Sequence, residues 1–132
     1  MHKHEQDFCT ALKKWLHYNM HETVFIEAKI SVGDAPFNYK SGFKEHQIPT
    51  LQTIKHGSFG YKISDMDRMI KPFDLLHAYK AKSFIALHWI RPRNKVFYLI
   101  EVDDIKAEID KGNKSLTEER AREIAYLTGE LK

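Results

Sequence analysis

Two residues of opposite charge stand two apart in a run that is otherwise rich in β-branched and aromatic residues: Glu27 and Lys29 in Thr23–Ser31, TVFIEAKIS. Alternation along a strand sends Thr23, Phe25, Glu27 and Lys29 to one face and Val24, Ile26, Ala28 and Ile30 to the other. The second set is uniformly apolar and belongs against helices. The first places a carboxylate beside an ammonium in mid-strand, where charged side chains are seldom buried unless paired or bound to a metal. A carboxylate can hold a divalent cation, and an ammonium can stabilise developing negative charge. Two readings are open at this point: an edge strand with an i,i+2 ion pair on its solvated face, or a site of that chemistry.

The flanking sequence predicts the elements that must position the pair. Phe8, Leu12, Trp15 and Leu16 recur at helical spacing, so Glu5–Tyr18 reads as an amphipathic helix. Val32–Gly42, with Gly33-Asp34, Pro36 and Gly42, reads as a loop. Lys44–His56 reads as a short helix with Pro49 near its first turn, where a missing N–H costs little. Ser58–Ile63 is extended and Ser64–Lys71 is turn-like. Strands are expected over Phe73–Tyr79 and Ser83–Ile90, joined by the basic turn Lys80-Ala81-Lys82, and over Val96–Val102 after the turn Arg91–Asn94. Asp104–Lys111 suits a short helix ended by Gly112. A last helix is expected from Ser115, with Glu118 completing a capping box, to about Leu127 before Gly129. This order implies an α/β (α+β) fold in one domain over residues 1–132, a single mixed sheet flanked by helices.

Composition narrows the classes. The chain has 132 residues, 42% hydrophobic and 30% charged, an ordinary globular balance for one core. The single Cys9 excludes an internal disulfide and a Cys-based zinc site. Apolar runs are too short for a membrane span, and the N-terminus MHKHEQDF does not read as a signal peptide, so a cytoplasmic domain without membrane partners is expected. Eight His are scattered without H-E-x-x-H spacing, and no Walker A or G-x-G-x-x-G sequence occurs. Net charge is +3, but Tyr39–Lys95 holds eleven Lys or Arg against four acids, +7, and the rest of the chain is −4. That asymmetry suits a polyanion-binding face or plain solvated surface.

Glu27-Ala28-Lys29, followed by Phe43 and by His46-Gln47 opening a helix, resembles the PD-(D/E)XK nuclease superfamily, whose acid-x-Lys lies on a central strand. Closer still, the order E-A-K, Phe, H-Q is similar to RecU-type and phage Holliday-junction resolvases. Tyr61-Lys62-Ile63, Asp65 and Lys71-Pro72-Phe73-Asp74 resemble a phage-associated branch of that family. The likeness spans roughly Phe25 to Ile100.

The resemblance implies a restriction-endonuclease-like core, a Mg²⁺-dependent endodeoxyribonuclease with Mn²⁺ as substitute, DNA (branched DNA included) as partner, and a homodimer that makes two symmetric cuts. It also implies a bacterial host cell and a phage or prophage origin. Hydrolysing a phosphodiester adds negative charge and needs an activated water, and a carboxylate-held metal serves both needs. Glu27 and the Ala28 backbone carbonyl are then metal ligands, Lys29 the catalytic lysine and Gln47 a supporting residue. Lys44, His46, Lys62, Lys71, Arg91 and Arg93 are expected to face DNA. The superfamily's metal-binding Asp normally lies on a strand upstream of E-x-K, and no such strand precedes Glu27. Asp74 is the expected substitute, supplied by a Phe73–Ile90 hairpin docked beside the Glu27 strand, with Glu5 as an auxiliary acid. The alternative for Asp74 is a turn acid paired with Lys71 or Lys80, which would leave a DNA-binding domain with a degenerate site.

Overall fold

Ser83–Trp89 is buried without interruption, on both faces of its strand. A strand apolar on both sides must lie inside a sheet with layers above and below. In the computed structural model, which describes residues 2–63 and 74–132, it does. The expected turn Ser64–Lys71, and with it Lys71 as a DNA contact, lies outside the described residues. In chain order the elements are α1 (His2–Asn19), β1 (Val24–Val32), β2 (Phe37–Asn38), α2 (Tyr39–Gly42), α3 (Gln47–His56), β3 (Ser58–Ile63), β4 (Asp74–Tyr79), β5 (Lys82–Ile90), β6 (Val96–Glu101), α4 (Val102–Asp110), β7 (Ser115–Leu116), α5 (Glu118–Ile124) and β8 (Leu127–Glu130). Among the described residues no helix is long and apolar enough to cross a membrane.

The main sheet has the order β1-β5-β6-β8, with β1 parallel to β5 and the other pairs antiparallel. It is therefore mixed, and it is flanked by helices as expected. Two short ribbons, β2–β7 and β3–β4, accompany it. On one face Phe8 and Leu12 of α1 pack with Phe84, Ala86, Phe97 and Leu99, with Ile26 and Ala28 of β1 against them. On the other, Leu51 and Ile54 of α3, Ile105 of α4 and Ala121 of α5 pack with Ile85, Leu87, Trp89, Tyr98 and Ile100. The alternation read in β1 is thus the partition between two cores.

Three expectations need correction. First, β4 does not pair with β5: it turns back on β3, from Ser58↔Tyr79 to Ile63↔Asp74, and β5 joins β1. The corner decides this. Lys80 takes a positive φ of 48°, its N–H donates to the Gly57 carbonyl, and the Ala81 N–H donates to Ile54 at the end of α3. The chain leaves that tether across the sheet toward β1. Second, β1 is the edge of the sheet among the described residues, as the ion-pair reading had it, and not the central strand that the nuclease resemblance implies; the residues upstream of it form the expected helix.

Third, the last helix begins at Glu118, not Ser115. Thr117 is its N-cap, its hydroxyl accepting the Arg120 N–H at 3.1 Å, while Ser115–Leu116 pairs with β2. Gly129 ends no helix. It lies in β8, where a Cβ would fall 2.5 Å from the Phe97 ring and 3.1 Å from Trp15. Smaller differences lie in the expected Val32–Gly42 loop, which contains β2 and α2, and in α3, which starts at Gln47 with Pro49 in its first turn.

The C-terminal elements are clamped by two carboxylates. Glu118 accepts from Arg91 at 2.7 Å and from the Tyr98 hydroxyl at 2.8 Å. Glu108, nearly buried, accepts from Arg120 and from Asn113. The Arg91 hydrogen bond holds Glu118 below its ordinary value of 4.5 against the opposing effect of burial, and Arg120 does the same for Glu108. A carboxylate depressed in the folded state contributes stability above its unfolded pKa and loses it as pH falls through the folded one. The melting temperature should therefore hold steady above about pH 4.5 and fall below it. Glu108→Gln and Glu118→Gln should lower it by several degrees at pH 7 and by less at pH 3, as read by circular dichroism melts across pH.

Candidate functional site

Glu27 and Lys29 lie across from Ile85 and Leu87 of β5, on the face of β1 turned toward α2 and α3. The Lys29 side chain is only 11% exposed, its Nζ 3.5 Å from Glu27 Oε1. The same ammonium sits 5.9 Å above the Phe43 ring centroid, within cation–π reach. Phe43 in turn meets Phe37 edge-on at 5.2 Å and stacks on Tyr39. Gly42 permits this aromatic floor, since a Cβ there would lie 2.3 Å from the Phe37 ring.

Gln47, the first residue of α3, completes the group. Its Nε2 donates to Glu27 Oε1 at 2.6 Å. Its own Oε1 accepts the Lys44 backbone N–H at 2.9 Å, which sets which way the amide faces. Glu27 therefore has two cationic or N–H contacts on one oxygen, and neither uses Oε2. The solvated-face reading of the pair fails on the Lys29 side: an edge strand it is, but α2 and α3 cover the lysine.

These residues line a cleft of ≈ 740 Å³ that also takes in Glu5 of α1, Ala28, Asn38 and Ser41. A second cavity of ≈ 470 Å³, between α1 and β1, shares Glu5, Glu27 and Ala28. The second carboxylate on the walls of these cavities is thus Glu5. Asp74 stands at the outer end of the β3–β4 ribbon opposite Ile63, exposed, and does not line this cleft. Its expected docking failed with the β4–β5 hairpin that was to deliver it.

Comparison with family models, curated proteins and solved structures finds no match to this chain. Among the described residues no three His, Cys, Asp or Glu side chains gather as a metal cluster. The Glu27 and Glu5 carboxylates and the Ala28 carbonyl are hard oxygen donors, a chemistry that would suit Mg²⁺ or Mn²⁺ with several retained waters better than zinc.

The expected DNA-facing residues divide. Lys44 lines the cleft, and His46 is exposed just before α3. Lys62 is exposed on β3, on the opposite ribbon face from Tyr61. Arg91 is not a free cation: it binds Glu118 and the Gly33 carbonyl, bracing the end of β1. Arg93 is exposed in the β5–β6 turn, at the far end of the parallel pair and about 16 Å along the strand direction from Glu27. Sequence reasoning missed Asn38 and Ser41, hidden in an assumed loop, and the apolar row Phe59, Tyr61 and Leu76, whose signal was the alternation in SFGYKI.

The aromatic floor is testable by stability. Tyr39 is buried, and its hydroxyl has no hydrogen-bond partner among the described residues. Burial, with the Glu108 charge adding to it, pushes its pKa up to about 12. In urea unfolding, Tyr39→Phe should leave stability unchanged or raise it by about 1 kcal/mol. Gly42→Ala should cost about 1–3 kcal/mol, because the Phe37 ring must give way.

Proposed function

We propose that this chain is a metal-dependent DNA endonuclease of the PD-(D/E)XK type, acting on branched DNA in the manner of RecU-like Holliday-junction resolvases, in recombination, repair or phage DNA processing. The supporting observation is the Glu27–Lys29–Gln47 group: a nearly buried ammonium and a carboxylate with a fixed amide donor, on one cleft wall. Burial in a low-dielectric setting strengthens what that ammonium offers to an anion. Nothing so enclosed is required of a solubilising surface pair.

In this reading Glu27 and Glu5 hold Mg²⁺ with the Ala28 carbonyl, and the ion when bound supplies Lewis-acid chemistry and an acidified water. Lys29 then faces the scissile phosphate and stabilises the charge that develops on its oxygens. Gln47 keeps Glu27 in one rotamer through its amide, and the Lys44 N–H keeps Gln47 in turn. Lys44 and His46 contact flanking phosphates. Resolving a junction needs two such sites related by a two-fold axis, hence a homodimer.

A second reading is favoured by the position of Asp74. With that acid outside the cleft, two carboxylates carry the whole metal site, and a domain that binds DNA without cutting it becomes the alternative. Incubation of labelled four-way junction, linear duplex and single-stranded DNA with Mg²⁺ separates them. Symmetric junction cutting is expected, reduced about 10²- to 10³-fold in kcat by Lys29→Ala. Glu5→Gln should lose most activity and Asp74→Asn should keep it. Salt-sensitive binding with no cutting in Mg²⁺ or Mn²⁺ would establish the non-catalytic reading. In either case log affinity should fall by about 0.9 per neutralised phosphate for each decade of salt.

A further inference from the structure

Beside the cleft runs a second groove, of ≈ 380 Å³, that shares Glu27 and Gln47 with it. Its walls are Phe25 of β1, Thr50 and Leu51 of α3, and the inner face of the β3–β4 ribbon. Register places Phe59 opposite Ala78 and Tyr61 opposite Leu76, so these four share that face. Phe59 is fixed, its ring edge-on to Phe25 at 6.1 Å. Tyr61 and Leu76 are not covered: they are 58% and 42% exposed. Large apolar side chains left in water beside a polar site mark a place where something is bound.

We infer that this groove takes an unpaired nucleobase of the DNA strand whose phosphate lies at Lys29, so that the substrate carries an extruded or single-stranded nucleotide at the cut. The inference rests on the nuclease reading above and names the substrate class for that same site. A base has two flat apolar faces and a polar edge. The groove offers an aromatic wall and aliphatic contacts for the faces, and the Thr50 hydroxyl for the edge. Continuity of the two cavities through Glu27 and Gln47 puts the base pocket next to the phosphate site, within one nucleotide's reach. Lys44, on the wall of the adjoining cleft, offers a cation to the strand's phosphate, which favours a nucleotide over an apolar protein segment. In intact duplex both faces of every base are covered by its neighbours, so no base can enter without the cost of extrusion. Junctions, gaps and single strands present such bases at lower cost.

The test is equilibrium binding without divalent metal, by fluorescence anisotropy, with single-stranded, four-way-junction and intact-duplex DNA. A single-stranded probe carrying 2-aminopurine reports stacking directly. Tyr61→Ala should weaken single-stranded and junction binding about tenfold, as loss of one base–aromatic stack does, with less than about a twofold change for duplex. Tyr61→Phe keeps the ring and should keep both the affinity and the 2-aminopurine quenching. Equal weakening on all three DNAs, or none on any, overturns the inference even if Mg²⁺-dependent cutting establishes the nuclease. Selective loss with no cutting supports the base pocket and refutes the nuclease. A fall in self-association in place of DNA affinity assigns the groove to a second copy of the chain and overturns the inference.

Discussion

An ammonium group taken out of water must find an anion, and the enclosure of Lys29 imposes that demand on everything around it. Glu27 answers it from two residues away, and its carboxylate is steadied by Gln47. Gln47 can reach only because α3 begins there, with its amide fixed by the Lys44 N–H. Phe43 closes the other side, and its ring rests on Phe37 and Tyr39, which need glycine at 42. One charge thus ties the edge strand to the two helices that follow it. The buried central strands are indifferent to this arrangement and supply the frame on which it hangs.

What the sequence made legible was set by local physics. The alternation in TVFIEAKIS named both faces of β1 correctly, since a half-buried strand writes its environment with period two. Glu27, Lys29 and Gln47 were expected together, and they meet. Partner choice among strands was not legible. Phe73–Tyr79 and Ser83–Ile90 look alike as β-formers, and the corner that separates them depends on a positive φ at Lys80 and two backbone bonds to α3. No propensity encodes those bonds. Asp74 was misplaced for the same reason, because its expected position was inherited from the wrong pairing. Ser115 and Gly129 misled differently: each is a good helix signal whose residue was used by a two-residue bridge and by a close ring contact.

The charge asymmetry also changes meaning in three dimensions. Three of the cations in the basic middle of the chain are neutralised by acids from outside it: Lys55 by Glu101 and Asp103, Lys82 by Glu22, and Arg91 by Glu118. These pairs join distant segments, and Asp103 with Lys55 and His56 pins the end of α3 to the start of α4. Part of the apparent polyanion-binding charge is therefore structural. Among the described residues of that segment Lys40, Lys44, Lys62, Lys80, Arg93 and Lys95 stay exposed, and they are spread over the surface with only Lys44 on the cleft, so the electrostatic footprint there is smaller than the count suggests.

The outer edge of β1 pairs with no described strand, and an open edge is a template on which another chain can add. Charges in mid-strand work against such addition. With valine at both 27 and 29, the nine residues of β1 would be apolar except for Ser31. Glu27 and Lys29 therefore guard the edge of β1 as well as shaping the cleft, and apolar residues at these two positions would turn the strand into a nine-residue template for self-association.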